Sequence, residues 1–233
     1  SCGTEEIDEV MIEIDASGNT VLDIGCGCGG AAIHLIKNHG AKSVVGIDIE
    51  SLVIQRANEL AVKYNLSNLA HFRCVKPGPL DIPDESVDLV FSKEVFLHIS
   101  NKDDLMKDIY RVLKPGGLVV VSDWMRIDDN PPSKQMQEYI AAEGLDMYMC
   151  SLKRYEQALK NTGFIDIVMK DRNVWYLNKA QQELAAIEGP LNKKVIDAIG
   201  PEETAGAIDI WKKLIGVLEI GEHRPGHFKA VKK

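Results

Sequence analysis

The chain has no apolar run long enough to span a membrane and no basic-then-apolar N-terminal pattern of a secretory signal. Positive charge is not in excess. With 27 Lys and Arg against 35 Asp and Glu, the formal net charge is −8 at pH 7, which leaves no electrostatic footprint for nucleic acid or an anionic membrane. Internal repeats and low-complexity segments are missing. The five cysteines (Cys2, Cys26, Cys28, Cys74 and Cys150) are odd in number and show no paired metal-binding spacing, so reduced thiols and no metal site are expected. These absences leave a small-molecule substrate, a cytoplasmic location and a monomer or homodimer as the expectation.

The 233 residues, 45% hydrophobic and 27% charged, suffice for one sizeable core plus an elaboration. Periodicity predicts a helix at 4–15, strands at 20–24 and 43–47, helices at 29–38 and 51–64, and a third strand near 70–75. A fourth strand is expected at 87–91, an amphipathic helix at 102–113, and a fifth strand at 118–122. Alternating strands and helices imply a doubly wound, mostly parallel sheet. The run Asp128-Asp129-Asn130-Pro131-Pro132 then breaks the pattern. Residues 133–161 read as mostly helical with a break near 150, 163–169 and 173–176 as short strands, 178–198 and 201–218 as helices, and 227–231 as a closing strand. The expected organisation is a cofactor-binding core at 1–127, a helical substrate cap inserted at 128–162, and a C-terminal part at 163–233 that completes the sheet.

The densest information lies in Val21-Leu22-Asp23-Ile24-Gly25-Cys26-Gly27-Cys28-Gly29-Gly30. An apolar strand enters a glycine turn that opens a helix, the start of a βαβ unit. Glycines let the backbone approach a ligand, and free N–H groups at the helix start make a polar cradle. Asp48 ends the next apolar run, Val44-Val45-Gly46-Ile47, where a carboxylate can accept two hydrogen bonds from ribose hydroxyls. Gly25, Gly27 and Gly30 also satisfy G-x-G-x-x-G, so a dinucleotide and a dehydrogenase must be weighed. Asp23 argues against them: a carboxylate near the turn repels a pyrophosphate and suits a cationic ligand. At Cys26 and Cys28 the crowded turn calls for small residues, which favours packing over a redox or metal role.

Ligands of open α/β sheets bind beyond the carboxyl ends of the strands, which directs attention to Ser92-Lys93-Glu94-Val95-Phe96-Leu97-His98 and to Asp123-Trp124-Met125-Arg126. Glu94 and His98 are four apart and would share one face if the segment were helical. An imidazole suits general-base work, and Glu94 could hold a cationic group or orient the ring. Trp124, just after the fifth strand, could stabilise a cation, whereas core packing is expected for Tyr148 and Trp175. Arg172 is the best candidate ligand for a phosphate or carboxylate. His223, Arg224 and His227 are expected on a solvated strand edge.

Residues 21–30, Gly46-Ile47-Asp48 and Leu113-Lys114-Pro115-Gly116-Gly117 together resemble the motifs of class I S-adenosylmethionine-dependent methyltransferases, over about residues 16–125. Ser92-Lys93-Glu94-Val95-Phe96-Leu97-His98-Ile99 is similar to the matching stretch of phosphoethanolamine N-methyltransferases and sarcosine/dimethylglycine N-methyltransferases. Arg224-Pro225-Gly226-His227-Phe228-Lys229-Ala230 resembles the ending of the phosphobase enzymes. The resemblance implies a Rossmann-like α/β fold with a seven-stranded, mostly parallel sheet and a helical cap. It implies S-adenosyl-L-methionine held by Asp23, Gly25, Cys26, Gly27, Asp48, Ile49, Val75, Lys76 and Lys93. It further implies catalysis by Glu94 and His98 on a small amine, with Asp123, Trp124 and Arg172 also facing the substrate.

Three departures accompany the resemblance. The family's histidine pairs with a tyrosine from a preceding segment, and only twenty residues precede Val21 here. Either the chain is a fragment or processed form, or another residue such as Tyr148 closes the site. Lys76 stands near where the family carries an acidic adenine ligand, and it cannot accept that bond. The family's phosphate cluster has no clear match among Tyr139, Tyr148, Lys153, Arg154 and Tyr155. Two alternatives stay open: N-methylation of an imidazole, as in ovothiol synthesis, and a non-catalytic methyltransferase-like binding module.

Overall fold

The computed structural model describes residues 3–233, so Cys2 of the thiol reading lies outside the described residues. Seven strands form one sheet in the order β3-β2-β1-β4-β5-β7-β6. They are β1 (Thr20–Ile24), β2 (Ser43–Asp48), β3 (Ala70–Cys74), β4 (Val87–Lys93), β5 (Leu113–Asp123), β6 (Phe164–Asp171) and β7 (Gly226–Lys232). Only β7 runs antiparallel to its neighbours. The strand order reverses between β1 and β4, so the switch point of the sheet lies at the carboxyl ends of those two strands.

The centre of the sheet is apolar because it is covered on both faces. Leu89, Val90 and Phe91 of β4 are all fully buried, as expected of a parallel strand with helices on either side. On one face α4 (Lys102–Val112) and α6 (Leu152–Thr162) pack Ile109, Tyr155 and Leu159 against Leu22, Val90 and Phe228. On the other, α1 (Gly3–Val10), α2 (Gly30–His39) and α3 (Ser51–Lys63) contribute Ile7, Leu35 and Ala57 against Phe91 and Val120. A third apolar cluster joins α5 (Lys134–Glu143), α7 (Asn173–Glu188) and α9 (Pro201–Glu219) through Tyr139, Tyr176, Leu214 and Val217. The short α8 (Asn192–Ile199) lies between α7 and α9 and buries none of its residues.

The helical layer therefore draws on two separated stretches, α5 and α7 to α9, while α6 belongs to the sheet core. Residues 173–176, expected as a strand, instead open α7. The Asp171 carboxylate accepts the Asn173 N–H at 2.8 Å, and the Asn173 side-chain amide donates to the carbonyls of Leu218 at 3.0 Å and His223 at 2.7 Å. This Asx turn and the tertiary anchoring of Asn173 fix a helix start and outweigh the strand propensity of Val174-Trp175-Tyr176. His223 and His227 are not on a solvated edge either. Both are buried, and only Arg224 is part-exposed, reaching Asp171 and the Gly221 carbonyl.

Candidate active site

The glycine turn is forced by its surroundings. Gly25 has φ +73° and donates its N–H to the Ile47 carbonyl at 2.8 Å, and a Cβ there would run into the Val95 side chain. Gly27, at φ +51°, faces open space: a Cβ would meet nothing within 4 Å. Its N–H donates to Asp48 Oδ2 at 2.9 Å, while Asp48 Oδ1 accepts the Glu50 N–H at 3.0 Å. Asp48 thus braces the turn and keeps further lone pairs for ribose hydroxyls. Ile49 beside it is 54% exposed, an uncovered apolar surface suited to the face of an adenine. Cys26 is buried among apolar side chains, and burial raises its thiol well above the usual range, so it is a packing residue.

Asp23 is 1% exposed, and its Oδ2 has no hydrogen-bond partner. Burial, and then the neighbouring Asp48 charge, push its carboxyl up to about 7. An orphaned, buried carboxylate oxygen beside an open glycine cradle fits a ligand with an ammonium group. Across the turn, the Val75 N–H is already committed to the Asp48 carbonyl at 2.9 Å, and the Lys76 side chain is exposed.

Beyond β4 the chain does not form the α-helix on which a shared face for Glu94 and His98 depends. Glu94 takes a left-handed conformation, φ +57°, with its N–H on the Ser122 carbonyl at 2.8 Å, and a single 3-10 turn follows at Phe96–His98. The register of a helix face therefore does not relate Glu94 to His98; a strained bend does. Lys102 holds this bend from below by donating to the carbonyls of Phe96 and Ile99. His98 is exposed, with Nδ1 2.7 Å from the Asp146 carbonyl. Since that carbonyl can only accept, Nδ1 carries a proton, and the lone pair of the neutral ring falls on Nε2. Lys93 lies 3.2 Å from Glu94 and 3.4 Å from Glu6.

At the end of β5, Asp123 is buried. Its Oδ2 accepts the Tyr155 hydroxyl at 2.9 Å, its Oδ1 is unpartnered, and burial pushes the carboxyl up to about 7 against that bond. Trp124 sits within an aromatic cluster, with ring centroids 5.4 Å from His223, 6.2 Å from Tyr139 and 6.4 Å from Tyr176. Trp124 Nε1, Tyr139 Oη and His223 Nε2 are all buried without partners. Burial lowers His223 to about 4, and its Nδ1 meets the Met125 carbonyl at 3.0 Å, so the ring is neutral. Tyr148, expected in the core, has a side chain 48% exposed, while Trp175 packs beneath Arg172.

Arg172 is buried at the end of β6, two strands beyond β5 and roughly 10 Å away by sheet spacing. It pairs with Glu9 at 2.5 Å and lies 4.2 Å over the Trp175 ring. It lines a rim groove with Lys170, Trp175 and Arg224 whose lining includes neither Glu94 nor His98. Sequence reasoning missed Glu6. This buried carboxylate of α1 bonds Ser122 and approaches Lys93 and, at 3.8 Å, His227, tying α1 to the ends of β4, β5 and the start of β7. The available signal was a charged residue on the apolar face of α1, one turn before Val10.

Fold and site together define an α/β protein that presents a nucleotide-type cofactor cradle at the switch point of its sheet. Residues 15–187 match the family described as methyltransferase domain. The chain is 32% identical over 231 residues to a phosphoethanolamine N-methyltransferase of Triticum aestivum, covering 99% of this chain and 44% of that protein. It superposes with a TM-score of 0.89 and 25% identity on Haemonchus contortus phosphoethanolamine N-methyltransferase 2 in complex with phosphomonomethylethanolamine and S-adenosylhomocysteine, over 98% of this chain and 53% of that one. A Galdieria sulphuraria structure assigned as a sarcosine dimethylglycine methyltransferase shares the fold, with a TM-score of 0.82 at 23% identity, over 99% and 83% of the two chains. The chain belongs to the methyltransferase domain family. It spans less than half the length of the plant relatives it matches. Among the described residues, no helix is long and apolar enough to cross a membrane.

Proposed function

We propose that the chain is an S-adenosyl-L-methionine-dependent N-methyltransferase acting on a small amine of the phosphoethanolamine or sarcosine/dimethylglycine kind. The observation that carries this reading is His98, whose Nδ1 is held by the Asp146 carbonyl so that Nε2 is a ready base on the loop after β4. When bound, the cofactor supplies an electrophilic methyl group on a sulfonium. Asp23 would pair with the cofactor ammonium, Gly25, Cys26 and Gly27 would shape its cradle, and Asp48 would hold the ribose. Ile49, Val75, Lys76 and Lys93 would border the adenine and the methyl end. His98 Nε2 would take the proton of the substrate ammonium and free its lone pair, while Glu94 would position the amine in line. Asp123 and Trp124 would close the substrate side. Arg172 is retained as an anion ligand at the outer rim. The core at 1–127 would supply the cofactor site, and the cap expected at 128–162 would be shared between α5 and the α7 to α9 helices of 163–233, whose strands β6 and β7 close the sheet edge. A cytoplasmic setting and a monomer or homodimer complete the proposal.

The test is methyl transfer from labelled S-adenosylmethionine to phosphoethanolamine, sarcosine, dimethylglycine and a free imidazole, with wild type, His98→Asn and Glu94→Gln. His98→Asn is expected to lower kcat by about 10²–10⁴-fold at unchanged cofactor affinity. Cofactor binding without turnover on any amine would sink the enzyme reading in favour of a binding module. Transfer to the imidazole alone would move the acceptor class.

A further inference from the structure

We propose that Asp8, His34 and His39 form a binding site for a divalent transition-metal ion of the zinc type, which clamps α1 to α2 on the face of the sheet opposite α4 and α6. The two imidazoles project from α2 toward the same atom of α1: Nε2 of His34 lies 2.6 Å from Asp8 Oδ1, and Nε2 of His39 lies 2.9 Å from it. The three ligand atoms all fall within 4.8 Å of one another. The two rings stand 5.4 Å apart at 60°, splayed so that their nitrogens converge.

Zinc accepts two neutral imidazole nitrogens and one carboxylate oxygen as donors, with bonds of about 2.0–2.2 Å and a fourth position for water, each Nε2 giving up to solvent or to its own Nδ1 the proton it now directs at Asp8 as the ion binds. In a tetrahedral site such bonds separate the donors by roughly 3.3 Å, so the Asp8 oxygen, now 2.6 Å and 2.9 Å from the two nitrogens, needs to draw back by roughly 0.7 Å and 0.4 Å. The imidazoles are largely enclosed, at 13% and 17% side-chain exposure, and the carboxylate is 54% exposed and free to shift. Two fixed ligands and one adjustable ligand suit capture of an ion from solvent.

The ion would act on a helix that needs support. An isolated helix of eight residues does not hold in water by itself, and α1 depends on its anchors. Those anchors include Glu6, on Ser122 and Lys93, and Glu9, on Arg172. Bracing α1 at Asp8 would therefore steady the rim residues that Glu6 and Glu9 hold. Contiguous spacing could not reveal this site, because its donors come from two helices.

Tag-free, chelator-treated protein titrated with Zn²⁺ in a calorimeter, and with Co²⁺ in a visible spectrometer, tests the proposal. We expect one ion per chain with micromolar affinity, a visible Co²⁺ band of tetrahedral type without a thiolate charge-transfer band, and a higher Tm with Zn²⁺. His39→Gln and Asp8→Asn should each weaken binding at least about tenfold and erase the Tm rise, with metal-free melting as the folding control. Absence of saturable binding, affinity unchanged in His39→Gln, or a thiolate band pointing to Cys28 or Cys74 would each overturn the site. Because none of these readouts involves methyl transfer, the result stands apart from the fate of the N-methyltransferase reading.

Discussion

At the scale of single residues, Asp23 is the proposed link between the fold and the cofactor. Its carboxyl titrates near 7 because burial and Asp48 disfavour the charge. A folded-state pKa above the ordinary 3.8 means that its contribution to stability is full below that value and is lost as pH rises through about 7. Charged and unpaired, Asp23 is a cost that a ligand ammonium would remove. S-adenosylhomocysteine should accordingly bind more tightly as pH rises from about 5.5 to 7.5, with release of up to one proton. Asp23→Asn should flatten that dependence and weaken binding on the order of tenfold. Calorimetry in buffers of different ionisation enthalpy counts the proton, and a pH-independent affinity in wild type would refute the assignment. Asp23 and Asp48 could be singled out in the sequence because each stands in a short strand-to-turn motif, and the structure brings the two carboxylates together at one glycine turn. Glu6 and His223 were not, because what defines them lies far along the chain: Ser122 for one, Trp124 and Met125 for the other.

At the scale of elements, α1 is anchored through its buried Ile7 and Val10 and through Glu6. Burial alone would raise its carboxyl, but the His227, Lys93 and Ser122 contacts outweigh burial and hold it below the ordinary 4.5. Here the sign is opposite to that of Asp23: the contribution is present above 4.5 and fades as pH falls through the depressed value. Glu6→Ala should destabilise the protein by roughly 2–4 kcal/mol, since it strands the Ser122 hydroxyl and removes a buried charge partner of Lys93. Urea unfolding at pH 7 reads the loss, and the gap between variant and wild type should narrow at pH 4. A gap that does not change with pH would mean that packing, not charge, secures the helix. The strands and helices up to β5 were readable because period and punctuation agreed. The bend at Glu94 was not, since a left-handed non-glycine residue leaves no mark in residue type. Nor was the start of α7, where an Asx turn at Asp171 and the bonds of Asn173 to Leu218 and His223 overrode a β-branched and aromatic run.

At the scale of the molecule, stability should be graded from the sheet centre outward. β1 and β4 are sealed between two apolar layers, whereas the helical layer is assembled from α5 and α7 to α9 around a separate cluster. Within it α8 buries no residue, so its amides have no core to unfold before they open. Hydrogen exchange should find α8 close to unprotected rates and β4 exchanging only by global unfolding, a separation of several kcal/mol. Adding S-adenosylhomocysteine should then slow exchange in the glycine turn after β1 and in the Glu94 to His98 bend, and leave α8 unchanged, because the proposed cofactor site lies at the switch point and not on the outer helices. Protection of α8 equal to that of β4 would show that the outer layer is welded to the core. Protection of α8 that rises with the cofactor would instead make the helical layer a lid that closes over the bound ligand.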